Sequence, residues 1–263
     1  RHEEIIERID ARTQVLGISC LFTSEWPEIR KLVNAIRQAF PDIAIVGGGE
    51  HITAEATFSL ADCPALDYAA LGEGEETLVD LIGALDRGEG VEDVAGIALR
   101  GDGGEVEFTP RRQRITAIDD IPLPRWDLTP LENYLEKGFS FGVNRGRTIP
   151  MLSTRGCPYQ CTFCSSPNMW TTRWKARRPD LVADEIQSYI ELYDVSNFDF
   201  YDVTAVVRRD WIIDFAQQLI DRELNITWQL PSGTRSEALD EEVLPYLYQS
   251  GCRNLSYAPE SGS

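Results

Sequence analysis

Short apolar runs rich in β-branched residues alternate along this chain with amphipathic runs of helical period, in two series separated by a Pro-rich stretch. A strand, a helical crossover and a parallel strand join in one hand. A chain patterned this way therefore builds a parallel sheet covered by helices. Ligands of such sheets sit at the carboxyl ends of the strands. In the first series, 15–21 (VLGISCL) reads as a buried strand. A helix follows over 24–40, with Pro27 in its first turn and Ile29, Leu32, Val33, Ile36 and Phe40 on one face. The second strand, 43–46, runs into Gly47, Gly48 and Gly49, and the third, 68–71, into Gly72, Glu73 and Gly74. The next helix carries Leu78, Leu81, Ile82 and Leu85, and Gly88 ends it. A hairpin with its turn at 101–104 closes the series.

The stretch 115–135, with Pro122, Pro124 and Pro130, predicts extended, stiff chain. The second series predicts strands at 149–153, 198–203, 226–230 and 254–259. Its clearest helix is 179–193, opened by Pro179, with Val182, Ile186, Tyr189, Ile190 and Tyr193 on one face. Four such strands fall short of a closed eight-stranded barrel, which needs about 250 residues. The domains expected are 1–105, a connection over 106–147, and 148–263. The chain opens on Arg1 and stops inside an apparent strand-to-loop motif, the pattern expected of a fragment.

Composition narrows the function. With 43% hydrophobic and 26% charged residues the chain is an ordinary globular protein, neither disordered nor a small disulfide scaffold. Asp and Glu number 43 against 25 Lys and Arg, a net charge of −18, which argues against nucleic-acid backbones as partners. A small-molecule substrate is expected instead. No run approaches the ~18 apolar residues of a membrane span, and no signal peptide is seen. The six cysteines cluster unevenly, which points to metal or redox chemistry in a reducing compartment, the cytoplasm.

The most specific feature is RGCPYQCTFC, which puts Cys157, Cys161 and Cys164 within eight residues, just after a predicted strand. Soft thiolates select iron–sulfur clusters or zinc. A structural zinc ion wants a fourth ligand, and the only histidines, His2 and His51, are remote in sequence. Zinc with a distant fourth ligand and three unconnected thiols remain the alternatives. Three ligands on a four-iron cluster leave one iron open to a substrate.

The C-x-x-x-C-x-x-C spacing, with Phe163 before the last cysteine, resembles the signature of radical S-adenosylmethionine (SAM) enzymes. The resemblance implies a partial (β/α) barrel with a [4Fe–4S] cluster on the loop after its first strand. The open iron would chelate SAM, and reductive cleavage would give methionine and a 5′-deoxyadenosyl radical. It also implies SAM contacts from Phe163, from Asp202 in FYDVT, from Arg235 in SGTRSE and from Glu260 in the terminal ESGS. Each of the last three reads equally as a solvated loop residue or a helix cap. Arg177 and Arg178 match a family stretch before the first barrel helix, as a substrate-anion site or a plain loop.

The glycine run alone fits several nucleotide folds and does not meet G-x-G-x-x-G. In combination, Ser19-Cys20-Leu21 and Gly47-Gly48 resemble the S-x-L…G-G pair of cobalamin-binding domains, as do the segments GGEHIT and LGEGEETL. The resemblance implies an incomplete Rossmann-like cobalamin-binding domain. Its cofactor tail would lie against Ser19, Leu21, Gly47, Gly48, Gly49, Gly72, Glu73 and Gly74. The family's D-x-H-x-x-G would fall before residue 1. His51 reads as a loop residue near the tail rather than a cobalt ligand, and Cys20, Cys63 and Cys252 as buried small side chains. Together these imply a cobalamin-dependent radical SAM C-methyltransferase supplied by a low-potential flavodoxin- or ferredoxin-type donor. The alternatives are a cyclase like the anaerobic magnesium-protoporphyrin ester cyclase, or a cofactor-binding module without turnover.

Overall fold

A computed structural model describes residues 2–234, 237, 239–257 and 259. The chain divides into two compact units, Arg1–Ile115 and Thr116–Ser263.

In the first unit the elements run α1 (His2–Ile6), β1 (Val15–Ser19), α2 (Trp26–Ala39), β2 (Ala44–Gly48), α3 (Glu50–Ala54), α4 (Ala56–Asp62), β3 (Tyr68–Ala70), α5 (Gly74–Arg87), β4 (Ile97–Arg100) and β5 (Val106–Phe108). β1, β2 and β3 are parallel neighbours, as the alternation predicts. The hairpin β4–β5 then joins the same sheet antiparallel to β3, giving the order β1-β2-β3-β4-β5. The hairpin thereby occupies the edge of β3, whose backbone donors and acceptors would otherwise need other partners.

Successive residues of a strand face opposite sides, and β2 shows this directly. Ile45 packs with Val33, Ile36, Ile52, Leu60 and Leu66, whereas Val46 packs with Ala70, Leu81, Ala84 and Ile97. α2, α3 and α4 thus cover one face and α5 the other. Val33 and Ile36 are fully buried, each stabilising the layer by roughly 1.5–3 kcal/mol. Ile29, Leu32 and Phe40 flank them, half-buried. On α5 the expected face is narrower: Leu81 is buried, Leu78 and Leu85 partly so, and Ile82 is exposed, one step (about 100°) round the helix from Leu81. Gly88 ends α5 with φ 64°, in the left-handed region.

The second unit contains α6 (Leu131–Glu136), β6 (Thr148–Met151), β7 (Thr154–Arg155), α7 (Ser166–Trp170), β8 (Lys175–Ala176), α8 (Pro179–Tyr193), β9 (Asn197–Phe200), α9 (Arg209–Asp221), β10 (Thr227–Thr234), α10 (Val243–Gln249) and β11 (Cys252–Tyr257). Its four-stranded sheet is parallel throughout, in the order β11-β10-β9-β6. Chain order and sheet order coincide, so the chain winds one way, as along an arc of a (β/α) barrel. Phe200 and Trp228 meet Phe215 of α9 edge-to-face at 5.6 and 5.5 Å, and Trp211 stacks on Phe215 at 5.6 Å.

The alternate residues form a buried polar ladder on the opposite face. Asn197 donates to Thr148 Oγ1 (3.0 Å) and Gln229 to Asp199 Oδ1 (2.6 Å). Asp199 Oδ2 accepts the backbone N–H groups of Phe141 and Gly142, each at 3.0 Å. Gln229 accepts from Val143 N–H at 3.0 Å and donates to its carbonyl at 2.9 Å. Segment 141–143 is strapped over that face.

The Pro-rich stretch departs from expectation at its end. Residues 131–136 form α6, with Leu131 and Leu135 one turn apart and both in the core. Pro130 at the N-cap costs the helix nothing, because its missing N–H would have been unpaired there. β9 ends at Phe200, short of the expected 203, because the chain turns there to aim Asp202 inward. Among the described residues, no helix is long and apolar enough to cross a membrane.

Candidate functional site

The cysteine loop leaves the carboxyl end of β6 and is pinched at its base by the antiparallel pair β7–β8, with Thr154 opposite Ala176 and Arg155 opposite Lys175. Gly156, at φ 83°, turns the chain into the loop. Cys157 and Cys161 are half-buried, Cys164 is exposed, and all three are free thiols. They edge a cavity of about 600 Å³ whose other walls are Val203 and Thr204 beyond β9, 232–234 of β10, and Tyr257 at the end of β11. The cavity thus sits at the carboxyl ends of successive parallel strands, where barrel folds place their ligands. Phe163 lies on its rim, 71% exposed.

Among the described residues, hydrogen bonds reach two of the sulfurs. Thr204 Oγ1 donates to Cys157 Sγ at 3.2 Å, and Ser166 N–H to Cys164 Sγ at 3.5 Å. Among the described residues, no three His, Cys, Asp or Glu side chains converge on a single-ion site. Zinc needs its sulfurs about 2.3 Å from one point. An iron–sulfur cluster takes each cysteine on a different iron and needs them spread apart. Three soft thiolates edging one cavity are a donor set that an iron–sulfur cluster takes, one cysteine to an iron.

Asp202, expected as a SAM contact, lies buried among donors of the strand-to-loop junction. It is 2% exposed. Its carboxylate accepts Ser153 N–H and Oγ–H (both 3.0 Å), Thr154 Oγ–H (2.6 Å) and Thr154 N–H. Burial pushes its carboxyl above the ordinary carboxylate range, against these four bonds, which favour the ionised form. These bonds tie Asp202 to the strand-to-loop junction before the cysteines. Arg177, read from sequence as either an anion site or a plain loop residue, is tied internally. It pairs with the buried Glu185 of α8 and donates to the Leu152 carbonyl at 3.2 Å. Arg178 is exposed and paired with Asp180. Arg235 and Glu260, with the rest of ESGS, lie outside the described residues.

The first unit gathers its glycines at the carboxyl edge of its parallel strands. Ser19 stands in register with Gly48. Gly49 has φ 97°, and a Cβ there would lie 2.6 Å from the Cys20 carbonyl and 3.1 Å from Ser19 Oγ. A Cβ on Gly47 would press on Leu66 and Ile52 at 3.2–3.3 Å, whereas one on Gly48 would meet nothing within 4 Å. Ser19 and Leu21 are exposed. Thr53 bridges two loops: its hydroxyl donates to the Gly49 carbonyl (2.9 Å) and accepts from Gly72 N–H (3.0 Å). Gly72, at φ 72°, needs the left-handed region, and Gly74 opens α5. This edge offers an exposed hydroxyl and bare backbone over open space, a surface that fits a cofactor tail. Glu73 does not face it. Its carboxylate turns inward to Ile115 N–H (2.8 Å) and Arg114 (3.6 Å).

His51 is not a loop residue. It lies in α3, buried, with its ring nitrogens near Thr23 Oγ1 (3.1 Å) and Ser59 Oγ (3.4 Å) and its face against Trp26 at 5.2 Å. Desolvation lowers its pKa. Cys20, Cys63 and Cys252 are buried, and burial pushes the Cys252 thiol up to about 12. Thr204, Thr53 and the Ser153–Thr154 pair went unread in the sequence. Their only signal there was a hydroxyl residue beside each motif.

Residues 1–82 match the family described as the B12 binding domain. Over 260 residues the chain is 28% identical to the uncharacterized methyltransferase PH0819 of Pyrococcus horikoshii, covering 99% of this chain and 54% of the relative. Over 265 residues it is 29% identical to the anaerobic magnesium-protoporphyrin IX monomethyl ester cyclase of Rubrivivax gelatinosus, covering 99% and 46%. The chain thus spans about half the length of these curated relatives. The solved structure of the cobalamin-dependent SAM radical enzyme OxsB, with aqua-cobalamin and SAM bound, shares the fold over 100% of this chain and 38% of its own, with TM-score 0.79 and 20% identity. The chain thus opens on a stretch that matches a B12-binding domain, continues into the parallel arc with its cysteine loop, and is similar along nearly its whole length to these relatives.

Proposed function

We propose that this chain is the cofactor-binding part of a cobalamin-dependent radical SAM enzyme that methylates an unactivated carbon of a small molecule. The observation that carries the reading is the set of free thiols of Cys157, Cys161 and Cys164 edging one cavity at the carboxyl ends of a parallel β/α arc. In this reading the first unit, 1–115, binds cobalamin and the second, 116–263, carries the radical SAM strands, with β5, α6 and the strap 141–143 of the expected connection 106–147 built into the two units. When bound, the [4Fe–4S] cluster supplies the electron that cleaves SAM, and cobalamin supplies the methyl group. The chain's own residues position and enclose. The three cysteines hold the cluster and Phe163 flanks it, while Asp202 and Arg177 hold the loop that presents them. Ser19, Gly48 and Gly49 leave room for the cobalamin tail. The uneven clustering of the six cysteines supports a cytoplasmic enzyme, supplied with electrons by a flavodoxin- or ferredoxin-type donor.

A cyclase is the second reading, favoured by the relative of that name that aligns with 99% of this chain. Product stoichiometry separates the two. The full-length protein is incubated anaerobically with SAM, cobalamin, a low-potential reductant and pooled cell metabolites, and two nucleosides are quantified. Methyl transfer consumes one SAM to remethylate cobalt and another as radical source, so S-adenosylhomocysteine and 5′-deoxyadenosine should accumulate together. 5′-Deoxyadenosine alone would favour the cyclase. Neither above the reductant-free background would leave a binding module. Cys161→Ser should abolish both nucleosides and the brown cluster, whereas Cys63→Ser, a change in the core of the first unit, should keep the cluster.

A further inference from the structure

We propose that the Thr204 hydroxyl donates a hydrogen bond to the Cys157 thiolate and thereby raises the reduction potential of the cluster that Cys157 helps to hold. The inference rests on the cluster reading above and deepens it.

Thr204 lies just past β9 and is buried, as are the next two residues, Ala205 and Val206. Its carbonyl accepts the indole N–H of Trp174 at 2.9 Å, so its backbone is held from the far side of the cysteine loop. Its Oγ1 stands 3.2 Å from Cys157 Sγ. The hydroxyl carries one proton and has two acceptors in reach, that sulfur and the Val203 carbonyl at 2.8 Å. A neutral thiol competes poorly for the proton. A thiolate, carrying charge, is the stronger acceptor, so deprotonation of Cys157 on binding iron turns the hydroxyl toward sulfur. Cys164 is treated differently, because its sulfur is exposed and receives a backbone N–H that no side-chain substitution removes.

One-electron reduction adds a negative charge that spreads over the cluster sulfurs. A hydrogen bond to a ligating thiolate stabilises that more negative state and raises the potential. Burial matters here, because water cannot easily replace a donor lost from an enclosed position. Thr204 therefore makes the cluster easier to reduce, and does so through Cys157 rather than by touching a substrate. It is a positioning residue, not a catalytic one.

The test compares wild type, Thr204→Val and Thr204→Ser as full-length proteins reconstituted anaerobically with iron and sulfide. Iron per chain is counted, and the midpoint potential is read by redox titration followed by electron paramagnetic resonance. Val keeps the branched shape and deletes the donor; Ser keeps the donor and deletes a methyl group. The expected result is equal iron in all three, with a more negative potential in Thr204→Val and the wild-type value in Thr204→Ser. An assembled cluster with the wild-type potential in Thr204→Val would overturn the proposal, as would equal defects in both variants, because Thr204→Ser keeps the donor and should match wild type. Loss of iron from Thr204→Val alone would overturn it too, assigning the hydroxyl to cluster assembly rather than to the potential. A wild-type protein that takes up no iron–sulfur cluster would overturn the reading beneath it as well.

Discussion

Three consecutive glycines at the end of β2 carry three different constraints. Gly47 faces the core, where a side chain would push into Leu66 and Ile52. Gly49 is held at φ 97° against the Cys20 carbonyl, so any other residue is strained there whatever the space. Gly48 has an ordinary backbone and open space where a side chain would stand. The fold therefore needs Gly47 and Gly49, while the space beside Ser19 is what Gly48 preserves. Gly48→Phe should leave thermal stability within about 0.5 kcal/mol of wild type. Cobalamin affinity in the full-length protein should fall at least tenfold, about 1.4 kcal/mol, measured by spectrophotometric titration. Gly49→Ala should instead destabilise by about 1–3 kcal/mol in denaturant unfolding. Unchanged affinity in Gly48→Phe would remove the tail from this edge. The run was legible as a strand-ending turn because glycine clusters punctuate strands. Which glycine the fold needs and which leaves open space depended on neighbours 19, 52 and 66, which no local pattern connects.

The cysteine loop depends on the elements around it. β7–β8 closes its base, Asp202 gathers the donors of Ser153 and Thr154, and Arg177 reaches from the end of β8 to Glu185 on α8. Glu185 also accepts the Tyr189 hydroxyl at 2.7 Å, and the Arg177 carbonyl accepts Trp211 Nε1–H at 2.6 Å. The ion pair is thus knitted into α8 and α9. Removing one partner of a buried pair strands the other, whereas replacing both by apolar side chains avoids an uncompensated charge. Glu185→Ala should cost roughly 3 kcal/mol in chemical denaturation. The double variant Arg177→Met, Glu185→Met should recover most of that loss, a non-additivity that a double-mutant cycle would read. Additive losses would show that the pair does not act as a unit. In sequence, Arg177 sits in the one basic cluster of an acidic chain and invites an anion. Its partner eight residues on lies inside a helix, where Glu is usually solvated.

At the scale of the whole molecule, 43 acidic residues face 25 basic ones. Many basic side chains are already committed, as in Arg30–Asp62, Arg37–Asp67 and Arg147–Glu132. The surplus of like charge repels itself in the compact state, and salt shortens its range from about 30 Å at 0.01 M to about 8 Å at 0.15 M. Raising sodium chloride over that interval should raise the melting temperature by about 2–4 °C, corresponding to about 1 kcal/mol. A fall would mean that the surface ion pairs outweigh the repulsion.

By itself the sequence determined the alternation of strands and helices, the three cysteines, the glycine turns and the acidic balance. These are local patterns, written in hydrophobic period and in spacings of a few residues. Tertiary structure decided that the hairpin extends the first sheet, that Glu73 and Asp202 turn inward, that His51 is enclosed beneath the glycine turn, and that Thr204 meets Cys157. A buried polar group takes whatever partner folding brings within hydrogen-bond reach. For these residues the partners come from as far as 50 positions away, a separation at which local sequence pattern carries no information.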